Sequence, residues 1–161
     1  MISNEQLARR ILELIPLAMR AVHARMRRMT ESGFVPPHYR VLALLYREPR
    51  GMSDLARCQA VSLPTMSRTV SALVERGLLA RSRDPKDRRR VLLSLTDEGR
   101  ALFLRVHAEI EERLARRIAT LSAEEREQLA AGLEVLHRLF ATDFPQEALQ
   151  DKGCRERQAG A

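Results

Sequence analysis

Residues 61–96, VSLPTMSRTVSALVERGLLARSRDPKDRRRVLLSLT, decide the fold. Ser62 is placed to cap a helix, Pro64 suits its first turn, and Gly77 ends it. Met66, Val70 and Leu73 recur at i, i+4 and i+7, so one face is apolar. Thr65, Ser67, Arg68 and Ser71 fall on the opposite, polar face. Two strands are then expected, residues 78–83 and 89–95, joined by the turn Asp84-Pro85-Lys86-Asp87. In the second strand Val91, Leu93 and Leu95 share a face, and Arg90, Leu92 and Ser94 share the other.

Charge is concentrated in that hairpin. Residues 81–90 hold six basic side chains (Arg81, Arg83, Lys86, Arg88, Arg89, Arg90) against two acidic ones (Asp84, Asp87). The local balance of +4 is more than half of the chain's net +7, a concentration that a solvated loop does not need. A helix fits the major groove of B-DNA, and an arginine-tipped ribbon suits the minor groove. Arginine binds guanine O6 and N7 bidentately, and hydroxyls serve bases or phosphates. A carboxylate beside a DNA probe costs attraction. Asp87 is therefore expected to hold Arg89 through a charge-assisted pair; the competing reading is a turn-stabilising aspartate.

Upstream, Ser3 and Gln6 form a capping box for a helix running to about Met29, with Leu7, Ile11, Leu14, Ile15, Ala18, Val22 and Met26 at helical spacing. Glu31-Ser32-Gly33 stops it. Pro36 and Pro37 open a second helix with Val41, Leu42 and Leu45 apolar. Residues 48–51 (EPRG) read as a turn, and Ser53 as the cap of a third helix containing Asp54, Leu55 and Cys58. Downstream, Thr96 caps a long fifth helix with the stripe Leu102, Phe103, Val106, Ile110, Leu114 and Ile118. Ser122 and Glu125 form a second capping box for a sixth helix, whose seam is Leu129, Leu133, Leu136 and Phe140.

The class is mainly α (α+β): a winged helix-turn-helix over residues 34–96, flanked by long helices at 1–33 and 97–145, with a flexible tail at 146–161. Three amphipathic helices cannot all bury their stripes on so small a middle domain. Packing across a two-fold axis is the natural solution, so 1–33 and 97–145 read as a dimerisation region and the chain as a homodimer.

Composition narrows the function. The 161 residues suffice for one domain with a core, and 45% hydrophobic residues exclude a disordered basic tail. A net charge of +7 favours a polyanionic partner. No apolar run approaches the ~18 residues of a membrane span or forms a signal peptide, so a cytoplasmic location and no membrane partner are expected. There is no nucleophile elbow, Gly-rich phosphate loop, HExxH or paired catalytic carboxylate; no catalytic residue, metal or cofactor is assigned, and an enzyme is not expected. Cys58 and Cys154 have no metal spacing. Cys58 at an apolar helix position reads as a buried, inert thiol. His107 and Glu111 share a helix face, but a metal site would need His38 to join them, and a partly exposed histidine is the simpler reading.

The runs PPHYRVLALL, SDLARCQAVSLPTMSRTVSALVERGLLAR and DPKDRRRVLLSLTDEGRAL, spanning about residues 34–103, resemble the MarR family of bacterial winged-helix transcription regulators. Three features agree in order: small residues opening the recognition helix, GLL at the start of the wing, and a DxR tip followed by LTDEG. The resemblance implies a homodimer whose first, fifth and sixth helices interleave. It implies a recognition helix in the major groove using Ser62, Pro64, Thr65, Ser67, Arg68 and Ser71. The wing, Arg81, Arg83, Lys86, Asp87, Arg88 and Arg89, would reach the minor groove through Arg89. It also implies a ligand-responsive regulator, most often a repressor, on a pseudo-palindromic operator in double-stranded DNA, with a small phenolic or other organic anion as effector. By position the effector pocket would involve Met26, Phe34, His38 and Tyr39, with ordinary core packing as the competing reading. Val74 and His38 depart from the family's usual acidic residue and glutamine. The alternative function is a winged-helix interaction module for protein or RNA without operator specificity.

Overall fold

The computed structural model describes residues 2–29, 35–85 and 87–141, with side-chain surroundings for all of these except 25–29 and 141. In chain order the elements are α1 (Asn4–Met29), α2 (Pro36–Arg47), β1 (Arg50–Gly51), α3 (Met52–Cys58), α4 (Leu63–Glu75), β2 (Leu79–Arg83), β3 (Val91–Leu95), α5 (Asp97–Ile118) and α6 (Ala123–Ala141). Both expected capping boxes form. Gln6 N–H donates to Ser3 Oγ (3.2 Å) and Ser3 N–H to Gln6 Oε1 (2.9 Å). Glu125 N–H donates to Ser122 Oγ (3.1 Å) and Ser122 N–H to Glu125 Oε2 (2.8 Å).

Two expectations are corrected. Residues 48–51 are not simply a turn: Arg50 and Gly51 form β1, antiparallel to β3 in the register Arg50–Leu93 and Gly51–Leu92. The wing is therefore a three-stranded sheet in the order β1-β3-β2. Two residues are too few to show the alternation by which a strand is read. Consequently α3 starts at Met52 with Gly51 as its N-cap, and Ser53 lies inside the helix rather than capping it.

The core is built where the apolar periodicities meet. Val41, Leu42 and Leu45 from α2, Leu55 and Ala56 from α3, Met66, Val70 and Leu73 from α4, Leu78, Leu79 and Leu93 from the hairpin, and Leu102, Phe103, Val106 and Ile110 from α5 form one buried cluster. The chain divides into two compact units, with the boundary between Leu114 and Ala115. All of that core belongs to the first unit. The second holds the last turn of α5 and α6, along which Leu129, Leu133, Val135, Leu139 and Phe140 are exposed.

The wing is fixed to α5 by a tight joint. Thr96 Oγ1 donates to the Gly77 carbonyl (2.6 Å) and accepts from Gly99 N–H (3.0 Å), while Thr96 N–H donates to the Leu78 carbonyl (3.2 Å). A Cβ on Gly99 would lie 2.1 Å from the Leu78 carbonyl oxygen, so only glycine lets α5 approach the wing root this closely. The LTDEG run is thus legible as a joint: Leu95 ends the strand, Thr96 caps the helix and Gly99 admits the crossing backbone. Among the described residues, no helix is long and apolar enough to cross a membrane.

Candidate nucleic-acid interface

The turn between α3 and α4 orients the candidate reading helix. Val61 N–H donates to the Ala56 carbonyl (3.0 Å) and Ala60 N–H to the Arg57 carbonyl (3.1 Å), the paired bonds of a Schellman C-terminus. That motif requires a left-handed residue, and Ala60 supplies it at φ 51°. The same motif closes α4, where Leu78 N–H donates to Leu73 O and Gly77 N–H to Val74 O, both at 2.9 Å. There the left-handed position is Gly77, at φ 70°.

Ser62 caps α4 as expected, its Oγ accepting from Thr65 N–H at 3.4 Å and lying 3.0 Å from Thr65 Oγ1. Pro64 occupies the first turn, where its missing N–H costs nothing. Burial of Met66, Val70 and Leu73 turns the rest of the helix outward. Ser62, Pro64, Thr65, Ser67 and Arg68 are exposed, and Ser71 is half-buried at the edge of that face.

In the hairpin, β2 and β3 pair from Leu79–Leu95 to Arg83–Val91. Arg90 closes the loop through both backbone groups, its carbonyl accepting from Asp84 N–H (3.0 Å) and its N–H donating to the Asp87 carbonyl (2.9 Å). Arg81, Arg83, Arg88 and Arg89 are exposed, and none of them forms an ion pair with another described residue. Lys86 lies outside the described residues.

The expected Asp87–Arg89 side-chain pair is corrected. Asp87 Oδ1 accepts from the backbone N–H of Arg89 at 3.0 Å. The carboxylate therefore stabilises the turn two residues on and leaves the Arg89 guanidinium unrestrained by it. Sequence reasoning missed a different carboxylate. Asp54 on α3 accepts from Arg57 Nη2 through Oδ1 (2.7 Å) and from Arg90 Nη2 through Oδ2 (3.2 Å). The first pair has i, i+3 spacing on one helix and was open to reading; the second spans 36 residues and has no sequence signal.

Against known proteins, the MarR family profile matches residues 32–90. The HTH-type transcriptional regulator YkoM of Bacillus subtilis is 31% identical over 147 residues, 85% of this chain and 96% of its own length. The chain belongs to the MarR family. Also similar is the HTH-type transcriptional repressor MdtR of Bacillus subtilis, 32% identical over 78% of this chain and 81% of its own length. The crystal structure of YusO from Bacillus subtilis superposes with a TM-score of 0.63 at 29% identity, covering 85% of this chain and 99% of that one. The MarR assignment makes the protein a transcription regulator of the DNA-binding, winged-helix kind and not an enzyme.

Within this MarR chain the candidate effector residues are only partly brought together. Phe34 and the side chain of Met26 lie outside the described residues. Tyr39 and His38 are half-buried at the start of α2. Tyr39 stacks on Phe103 with ring centroids 5.4 Å apart, and its hydroxyl lies 2.7 Å from His107 Nδ1. Burial pushes the Tyr39 hydroxyl up to about 12, so it remains protonated at neutral pH, and the imidazole tautomer sets which of the two groups donates. Burial, reinforced by the Arg76 guanidinium, lowers the His38 imidazole below its ordinary value. His38 Nδ1 accepts from Val35 N–H at 3.4 Å.

The expectation of a buried Cys58 is also corrected. Cys58 is exposed, with Sγ 3.8 Å from Arg50 Nη1, while Leu55 and Ala56 supply the buried face of α3. Cys154 lies outside the described residues. Among the described residues, no three His, Cys, Asp or Glu side chains gather as a metal-holding group.

Proposed function

We propose that this MarR-family chain is a homodimeric cytoplasmic repressor that reads a pseudo-palindromic operator. In this reading α4 enters the major groove and offers Arg68 to a guanine edge, with Ser62, Thr65, Ser67 and Ser71 on bases or phosphates and Pro64 fixing the helix start. Arg89 at the wing tip enters the minor groove, flanked by Arg81, Arg83, Lys86 and Arg88 on the phosphates, while Asp87 shapes the turn. Residues 34–96 form the reading head, 1–33 and 97–145 the dimerisation region. A small phenolic or other organic anion acts as effector near His38 and Tyr39, between the two regions.

One observation carries this reading. The exposed polar face of α4 and the exposed wing residues Arg81, Arg83, Arg88 and Arg89, which form no ion pair with another described residue, are tied together by the hydrogen bonds of Thr96 to Gly77 and Gly99. The repressor relative adds support for the sign of the regulation.

The test is a gel-shift titration on a duplex selected by the protein from a randomised pool, beside a scrambled duplex. Arg68→Ala is expected to relax preference at one position in each half-site, costing about 1–3 kcal/mol for a lost bidentate contact. Arg89→Ala is expected to weaken binding strongly. Equal affinity of the unmodified protein for both duplexes would sink the operator reading and favour a module that meets protein or RNA.

A further inference from the structure

The structure assigns Asp54 as the residue that sets the attitude of the wing and withholds Arg90 and Arg57 from phosphate. This inference rests on the proposed DNA reading and specifies one residue within it. Asp54 stands in the first turn of α3, outside the recognition helix and outside the wing. Its two carboxylate oxygens are divided between two arginines, Oδ1 to Arg57 and Oδ2 to Arg90.

Arg90 is the point where the wing loop closes. Its N–H and carbonyl bond to the two sides of the loop, and Val91 beyond it begins β3. A grip on its side chain therefore acts at the base of the tip loop that carries Arg88 and Arg89. The grip comes from the helix that precedes the reading helix. Beneath it, Gly51 pairs with Leu92, and a Cβ on Gly51 would come within 3.5 Å of Asp54 Oδ2 and 3.6 Å of Arg90 Nη2. Strand pairing and ion pair thus join α3 to the wing at the same place.

The charges have a second consequence. Arginines beside a nucleic-acid face bind phosphate without regard to sequence, and each such contact steepens the salt dependence of binding. With Asp54 present, its single negative charge is shared between Arg57 and Arg90 and weakens the pull of both on phosphate, so that base reading is left to Arg68 and Arg89. Asp54 is a positioning residue here, acting through Arg90.

The experiment measures affinity against salt concentration for Asp54→Asn, Asp54→Glu and the double variant Asp54→Asn/Arg90→Ala, on the selected and scrambled duplexes. Asp54→Asn is expected to bind the scrambled duplex more tightly and to steepen the log–log salt slope by about one for each released arginine. Its ratio of selected to scrambled affinity should fall several-fold. The double variant should lose the part of the extra slope due to Arg90, and Asp54→Glu should retain the wild-type ratio. Unchanged slope and ratio in Asp54→Asn, with wild-type preference intact, would overturn this inference alone. A wild-type protein without preference would overturn the operator reading and take this inference with it.

Discussion

Leu42 and Leu133 are the same residue on amphipathic helices of one chain, yet Leu42 is fully buried and Leu133 is 56% exposed. The contrast holds across the regions they represent. Between α2 and the middle of α5, each apolar stripe meets another from the same chain, and the result is one closed core. Along α1, Leu7, Leu12, Leu14, Ile15, Leu17 and Met19 are exposed, and along α6 so are Leu129, Leu133, Val135, Leu139 and Phe140. Fully burying a leucine is worth about 1.5–3 kcal/mol, so these helices leave much of their own stabilisation unrealised. Helix α5 shows the change within one element: Val106 and Ile110 are buried, whereas Leu114 and Ile118 are exposed. The region from α2 to the middle of α5 closes its own core, and α1, the end of α5 and α6 leave apolar side chains exposed.

The largest effect that sharpens this contrast is a truncation in the closed core. Leu73→Ala, at a site with no exposure, is expected to lower the unfolding free energy by about 2–5 kcal/mol in urea denaturation. A loss below about 1 kcal/mol would mean that the middle region is not self-sufficient, and the contrast would break.

A smaller effect is expected from the same chemistry in the outer helices, and in a different observable. Leu12→Ala combined with Leu133→Ala should leave the circular dichroism of the folded chain intact. Sedimentation equilibrium should show self-association weakened about tenfold or more, about 1.4 kcal/mol. An unchanged dissociation constant would place the proposed dimer interface elsewhere.

This division also explains what was legible in the sequence. Local rules worked: both capping boxes, the Ser62 and Thr96 caps, the buried faces of α2 and α4 and the hairpin all follow from residues within a few positions of one another. What failed depends on contacts between distant segments. β1 is a strand only because Leu92 and Leu93 lie beside it. Asp87 looked like the partner of Arg89 because they are close in sequence, whereas the carboxylate that grips a wing arginine is Asp54. Tyr39 and His107, 68 positions apart, meet because α2 and α5 share the core around Phe103. Cys58 looked buried because its helix position is apolar, but α3 buries Leu55 and Ala56 and leaves Cys58 exposed.

The smallest effects compare the two ends of the reading helix, where one backbone motif is built from different residues. At the exit of α4 the left-handed position is Gly77, which adopts φ 70° without steric cost. At its entrance the position is Ala60, whose Cβ crowds the following carbonyl, a cost of about 1–2 kcal/mol. Gly77→Ala should therefore destabilise the fold by about 1 kcal/mol, its new Cβ meeting only Glu98 Oε2 at 3.6 Å. Ala60→Gly should act in the opposite direction. Relief of strain exceeds the added freedom of the unfolded chain, for a net gain of about 0.5 kcal/mol in thermal unfolding. A loss of stability in Ala60→Gly would show that the alanine methyl packs in the turn more usefully than its backbone is strained. The entrance of α4 would then be held by a packed methyl group, whereas at its exit the left-handed turn needs only the freedom of glycine.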